Sequence, residues 1–413
     1  MSRTDLTNVS GARALLALAL LLAATLPLGA LAEGSDTKLA EMATIALPDA
    51  QRRDLVGQAL AASDELVIVG APGADRVSDG TGLVMVLRRD GDAWRFGTIV
   101  TDDAAGVAAS FGGAVATDGT TLLVGAPRDL ADRGASYLYE HDGNAWNRVA
   151  RLELSFGAAF DFFGSAVAVD GDTALIGAPG HDAVASNAGV AVLYRRGEDG
   201  WQEQARLRPD RLEEGSRLGA AVALTGDFAV VAAPDGGTGG VVHLFERRDG
   251  EWVSTGRLAP DELVEGDAFG GAVATDGRSV VVGARFATIE HDQQGVAYLF
   301  ERSNEEWRRT ARWSAEDAGR RDAFGYSVAV RGDLALIGAP RHDAGGDDAG
   351  AVFAYRRDGD AWTPAGTLPR ATPDVYDEFG SALAMNERTV FVGVPYDVLD
   401  GAENDTGSVV VYR

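Results

Sequence analysis

The chain has 413 residues, carries 62 Asp and Glu against 37 Lys and Arg for a formal charge of −25, and contains no cysteine. A surface this acidic repels nucleic acid and anionic membranes and favours cations or basic partners. The lack of cysteine excludes a disulfide scaffold, so the fold must rest on burial, which the 46% hydrophobic composition supplies.

Taken in chain order, residues 1–32 read as a secretory signal peptide. Arg3 and Arg13 precede an apolar run from Ala14 to Leu26, then Pro27 and the small-residue pattern Ala30-Leu31-Ala32, with cleavage expected before Glu33. The run is shorter than the roughly 20 residues a spanning helix needs. No later segment is long and apolar enough to cross a bilayer, so no membrane insertion is expected after cleavage. Residues 1–32 hold two Arg and one Asp, so the remaining chain carries −26.

Residues 33–413 are expected to form a single domain of seven repeats. A Gly recurs at 57, 112, 164, 219, 270, 325 and 380. It follows Phe111, Phe163, Phe269, Phe324 and Phe379 in five copies, and Val56 and Leu218 in the other two. Thirteen residues later comes a second anchor, Gly70, Gly125, Gly177, Ala232, Gly283, Gly338 or Gly393, which opens a Gly-Ala-Pro triplet in four copies. A period of 51 to 55 residues points to propeller blades rather than helical solenoids.

Residues 111–155 show how one copy becomes a blade. Gly113 to Thr117 and Leu122-Leu123-Val124 flank Asp118-Gly119, a hairpin signature. Pro127 stops the second strand because it has no N–H to donate. A third strand follows Gly134, and a fourth opens at Trp146 after His141-Asp142-Gly143-Asn144. Trp94, Trp146, Trp201, Trp252, Trp307 and Trp362 share that phase and are expected to pack between blades. The seventh copy reaches Arg413 without a Trp-led strand, while Lys38 to Ala50 resembles the fourth-strand segments. The N-terminal strand, over Leu39 to Ala46, should therefore pair beside Ser408 to Tyr412 and close an all-β, seven-bladed ring of four-stranded antiparallel blades.

Phe-Gly followed by Gly-Ala-Pro resembles the FG-GAP repeat over about residues 38–413. The likeness is to the propeller head of integrin α subunits and, more closely, to secreted bacterial proteins of this kind. It implies the fold; it says little about the ligand. Integrin-type repeats often hold calcium in the hairpin before Gly-Ala-Pro. The equivalent hairpins here, such as Ser63-Asp64-Glu65, Asp118-Gly119-Thr120 and Asp276-Gly277-Arg278, are too short to supply six to eight oxygens, so those sites are not carried over. Arg331-Gly332-Asp333 fills the same turn as Thr225-Gly226-Asp227 and reads as turn chemistry, not as the tripeptide that integrins recognise.

Two loop sets should share one face: those after Gly-Ala-Pro and those leading from a fourth strand to the next Phe-Gly. Variable loops on a rigid repeat are where binding residues concentrate. The candidates are Asp75, Asp182, Asp261, Glu265, Phe286, Tyr376 and Tyr396. His181-Asp182 and His342-Asp343 occupy equivalent loop positions, but on blades three and six they cannot meet in one metal site; Asp capping its own loop is the better account. Asp343, Asp347 and Asp348 are the candidates for a weak calcium site, and no other cofactor is expected. No Gly-x-Ser-x-Gly elbow, phosphate loop or nucleophilic cysteine is present.

The expectation is an exported monomer, periplasmic, extracellular or on the cell surface. It would act in binding or adhesion through acidic loops that engage an extracellular protein or polysaccharide. The alternatives are a propeller hydrolase or lyase working on a glycan or ester at the axial mouth, or a purely structural surface component.

Overall fold

Alternating small and apolar residues between Gly-rich turns give strands of four to eight residues, and nearly all of the regular structure is of this kind. The computed structural model describes residues 39–413 apart from 183, 305 and 399–404; the expected signal segment lies outside the described residues. Seven four-stranded antiparallel sheets follow one another as blades, at 59–100, 114–152, 166–207, 221–258, 269–313, 327–367 and 382–412. The one helical stretch among the described residues, Asp129–Asp132, is a left-handed turn, with φ of 53°, 58° and 65° at Leu130, Ala131 and Asp132.

Blade seven has only three strands from its own repeat. Its fourth is Glu41–Ile45, which pairs with Ser408–Tyr412 in the register Glu41 to Tyr412 and Ile45 to Val409. The closure expected from the repeat arithmetic is thus the closure present. The innermost strands, Ala59–Ala62 through Ala382–Met385, contact one another in succession, and the last returns to the first.

The core is divided rather than central. Seven hydrophobic clusters each join two neighbouring blades, one per junction. The Trp row serves these junctions, because each ring reaches the preceding blade. Trp307 stacks on Phe228 of blade four at 5.1 Å, and Trp94 meets Phe391 of blade seven edge-on at 5.0 Å. The junction of blades six and seven has no such Trp, and there Leu39 joins the cluster.

The two anchor glycines are a matched pair across a junction. A Cβ built on Gly125 would run into the carbonyl oxygen of Gly164 in the next blade. The same holds for Gly70 against Gly112, Gly177 against Gly219, Gly283 against Gly325, and Gly393 against Gly57. The glycine after Phe also has φ between 87° and 97° in every copy, a region that side chains disfavour. Blade four breaks the rule with Ala232, whose Cβ would lie 2.9 Å from one built on Gly270. At that junction alone among the described residues, the strand beginning at Phe269 pairs early and bulges before Ala272.

Candidate functional site

The chain enters each blade through a segment of unusual geometry. Four residues before the anchor Gly, and again two before it, the backbone is left-handed in all seven copies. The nearer position holds Leu55, Ser110, Phe162, Arg217, Ala268, Ala323 and Glu378, with φ of 53° to 58°. None is a glycine, and each costs about 1 kcal/mol relative to a relaxed backbone. Hydrogen bonds to the preceding blade offset that cost. Tyr376, Glu378 and Phe379 donate their N–H groups to Asp347, Asp348 and Ala349, residues of the loop between second and third strands of blade six. Arg217 and Leu218 do the same to Asn187 and Ala188. The two loop sets therefore share one face, as the repeat pattern implied, and they are zipped together as latches.

Between the two left-handed residues sits a buried carboxylate. Asp54, Asp161, Asp267, Asp322 and Asp377 are each no more than 6% exposed. Each accepts the N–H three residues upstream, from Gln51, Ala158, Val264, Gly319 and Asp374, at 2.7–2.9 Å. In blade two Ala109 stands at this position. Asp129 reaches in from the neighbouring loop and accepts the equivalent N–H, that of Gly106, at 3.1 Å. The aspartate at this offset was legible in the sequence at five of the seven anchors, four times as Asp-x-Phe-Gly; the compensation by Asp129 was not.

The fourth residue after the Gly-Ala-Pro glycine faces these carboxylates. His181 Nδ1 lies 3.1 Å from Asp161. His342 Nε2 lies 3.1 Å from Asp317 and 3.8 Å from Asp322. In blade seven the position is Asp397, and Arg370 bridges it to Asp377 at 2.9 and 2.5 Å. Two buried acids share one guanidinium there, and burial together with Asp397 pushes Asp377 up to about 6 against the pull of Arg370. The histidines thus face latch carboxylates inside their own blades.

The loop aspartates cap their own loops. Asp75, Asp182 and Asp343 accept the N–H five residues on, from Gly80, Asn187 and Asp348, at 2.5, 2.8 and 3.0 Å. Burial raises the Asp348 carboxyl above its ordinary range, and the charges of Asp343 and Asp347 add to that against the pull of Arg341. No group of three or more acids or histidines is arranged to hold a metal among the described residues. Asp261 and Glu265 are exposed on the loop entering blade five. Tyr376, at a left-handed latch position, is 60% exposed, and Phe286 and Tyr396 are partly exposed on their loops.

At the opposite end the hairpins are short turns. Asp118 accepts the N–H groups of Thr120 and Thr121, and Asp276 those of Arg278 and Ser279. In the Arg331-Gly332-Asp333 turn the Gly332 N–H donates to Asp276, and Asp333 faces Arg357. Two clefts of about 420 and 470 Å³ open between neighbouring blades, beside Trp146 and Trp313. The first is lined by His141 and Asn144 at the turn before a fourth strand, and the second reaches Glu316 and Asp317 of the loop entering blade six. No helix among the described residues is long and apolar enough to cross a membrane.

Sequence comparison with the FG-GAP repeat matches residues 94–139, 146–194, 252–300 and 307–355. Each matched unit begins at a fourth-strand Trp and ends in the third strand of the next blade, so it straddles a latch. The unit from Trp201 to Phe245, with Ser216, Leu218 and Ala232 at the anchor positions, is not among them. No curated protein sequence matches the chain. A chain in "Crystal Structure of Mitotic Checkpoint Complex" superposes with a TM-score of 0.55 at 12% identity, over 95% of this chain and 98% of that one, which speaks to the fold alone. Seven in-phase copies, the paired glycines and the latches together place the chain in the FG-GAP repeat family, as a seven-bladed propeller.

Proposed function

We propose that the chain is an exported binding propeller whose latch face docks an extracellular protein. The observation that carries this reading is where apolar side chains are left exposed. Among the described residues, twelve of sixteen exposed large hydrophobics stand on latch-face loops, including Val107, Phe156, Phe160, Val264, Ile289, Val375 and Tyr376. Apolar residues gathered on one face mark an interaction surface more than scattered ones do. Carboxylates such as Asp261 and Glu265 lie among them, so the partner that fits is basic around an apolar centre.

The test is capture of extracellular proteins on immobilised residues 39–413. Wild type should retain a salt-sensitive partner, and Phe156→Ser with Phe160→Ser and Tyr376→Ser should lose at least tenfold in affinity. Phe96→Ser, on an outer strand away from the loops, should change nothing. Equal capture by the latch-face variant would reject the assignment.

A further inference from the structure

The rim of the central axis on the latch face is nearly uniform. Where the second strand of each blade ends, the chain has Pro72, Pro127, Pro179, Pro234, Pro340 and Pro395, but Arg285 in blade five. Where the innermost strand begins, just after the anchor glycine, it has Gln58, Gly113, Ser165, Ala220, Gly271 and Ser381, but Tyr326 in blade six. The two exceptions meet. The Arg285 guanidinium lies over the Tyr326 ring at 5.2 Å and over the Phe286 ring at 4.8 Å. The innermost strand of its own blade offers no cover, because the rim residue there is Gly271.

Arg285 has two aromatic contacts and no carboxylate partner among the described residues, in a chain with 62 acids. Its Nε is buried without a hydrogen-bond partner. Rings over the guanidinium plane leave the N–H edge as the binding surface, and that edge matches a carboxylate in a two-pronged contact. Where blades six and seven meet, Glu378 pairs with Arg341 at 3.6 Å, and burial, then Glu378, Tyr326 and Asp405, raise the partly exposed Tyr396 hydroxyl against the pull of Arg341. The sector therefore combines one unspent guanidinium, flat aromatic faces and a set of hydroxyl-bonding groups. A sugar carboxylate uses all three: its acid on the Arg, its C–H face on a ring, its hydroxyls on the polar groups.

We propose that the rim at Arg285, Tyr326 and Tyr396 is a binding site for a uronic acid residue of a glycan. The site is independent of protein docking on the surrounding loops. One cation in a strongly acidic surround suits an isolated carboxylate and disfavours densely charged polyanions.

The experiment is calorimetric titration of residues 39–413 with trigalacturonic acid and with its methyl ester. Wild type should bind the acid saturably and the ester at least tenfold more weakly. Arg285→Pro restores the residue that the other six blades carry. That variant should melt with wild type and lose at least tenfold in affinity, the range of a charge-assisted pair. Arg285→Gln gives the same reading if the proline variant fails to fold. Absence of saturable binding to wild type, equal binding of the ester, or full affinity in either variant would overturn the proposal. Loss of protein capture by the Phe156, Phe160 and Tyr376 variant leaves this titration unchanged, so the two readings fail separately.

Discussion

The two ends of the propeller are built from the same residue types and obey different rules. On the hairpin face, Asp118 and Asp276 hold their own two-residue turns, and glycines such as Gly171 and Gly332 have nothing within 4 Å of a built Cβ. On the latch face, aspartates are buried, left-handed residues flank them, and glycines touch the backbone of the neighbouring blade. The hairpin end is largely local turn chemistry, tied to its neighbours by single bonds such as Gly332 N–H to Asp276 and Gly226 N–H to Asp170. The latch end is tertiary structure, and the ring is held there.

Substituting glycines at the two ends should give the largest contrast. Gly177→Val puts a side chain into the Gly219 carbonyl and should cost at least about 4 kcal/mol, or prevent folding. Gly171→Asn, at φ 55° in open space, should stay within about 0.5 kcal/mol. Denaturant titration of both checks this, and a tolerated Gly177→Val would break the account of the matched pair. Trp307→Ala sets the scale for the junctions between the faces, at about 3 kcal/mol. A loss near zero would mean that the Trp row does not carry packing.

One buried latch acid gives a pH signature. The folded Asp377 titrates near 6, above the ordinary value of about 4 in an unfolded chain. The proton is held more tightly in the fold, so its stabilisation is complete below pH 4 and is lost as pH rises through 6. Stability should fall by on the order of 2 kcal/mol across that window. Asp377→Asn should flatten the profile there; an unchanged slope would show that Arg370 fully compensates the charge. The smallest contrast compares the caps themselves. Asp267→Ala strands the buried Val264 N–H and should cost about 2 kcal/mol, whereas Asp118→Ala, whose turn is wet, should cost less than about 1.

The same division governs what could be read from the sequence. The hairpin turns, strand order, blade count and closing strand follow from local patterns and their period, and all are present as read. The junction role of Trp307 and Trp94 followed from phase alone. What escaped was interaction between loops of different parts of a repeat. Nothing local says that His181 and His342 turn inward to latch carboxylates, or that Asp129 substitutes for the aspartate missing at Ala109. The left-handed backbone at Leu55 or Ala323 is equally silent, since neither residue favours it. Arg285 and Tyr326 were visible as departures from the repeat. Their meeting across a junction was not, because they are 41 positions apart and in different blades.

Closure by Glu41–Ile45 has a consequence for biosynthesis. Every other blade obtains its fourth strand from the residues that immediately follow its third, so blades one to six can form as the chain emerges. The strand at Glu41 must instead wait until Ser408 to Tyr412 has been made and delivered, more than 360 residues later. A product cut short before Ser408 would leave two sheet edges open to other chains. The ring therefore acts as a proofreading device for its own synthesis, since only a polypeptide that has been made through Tyr412 can hide its edges.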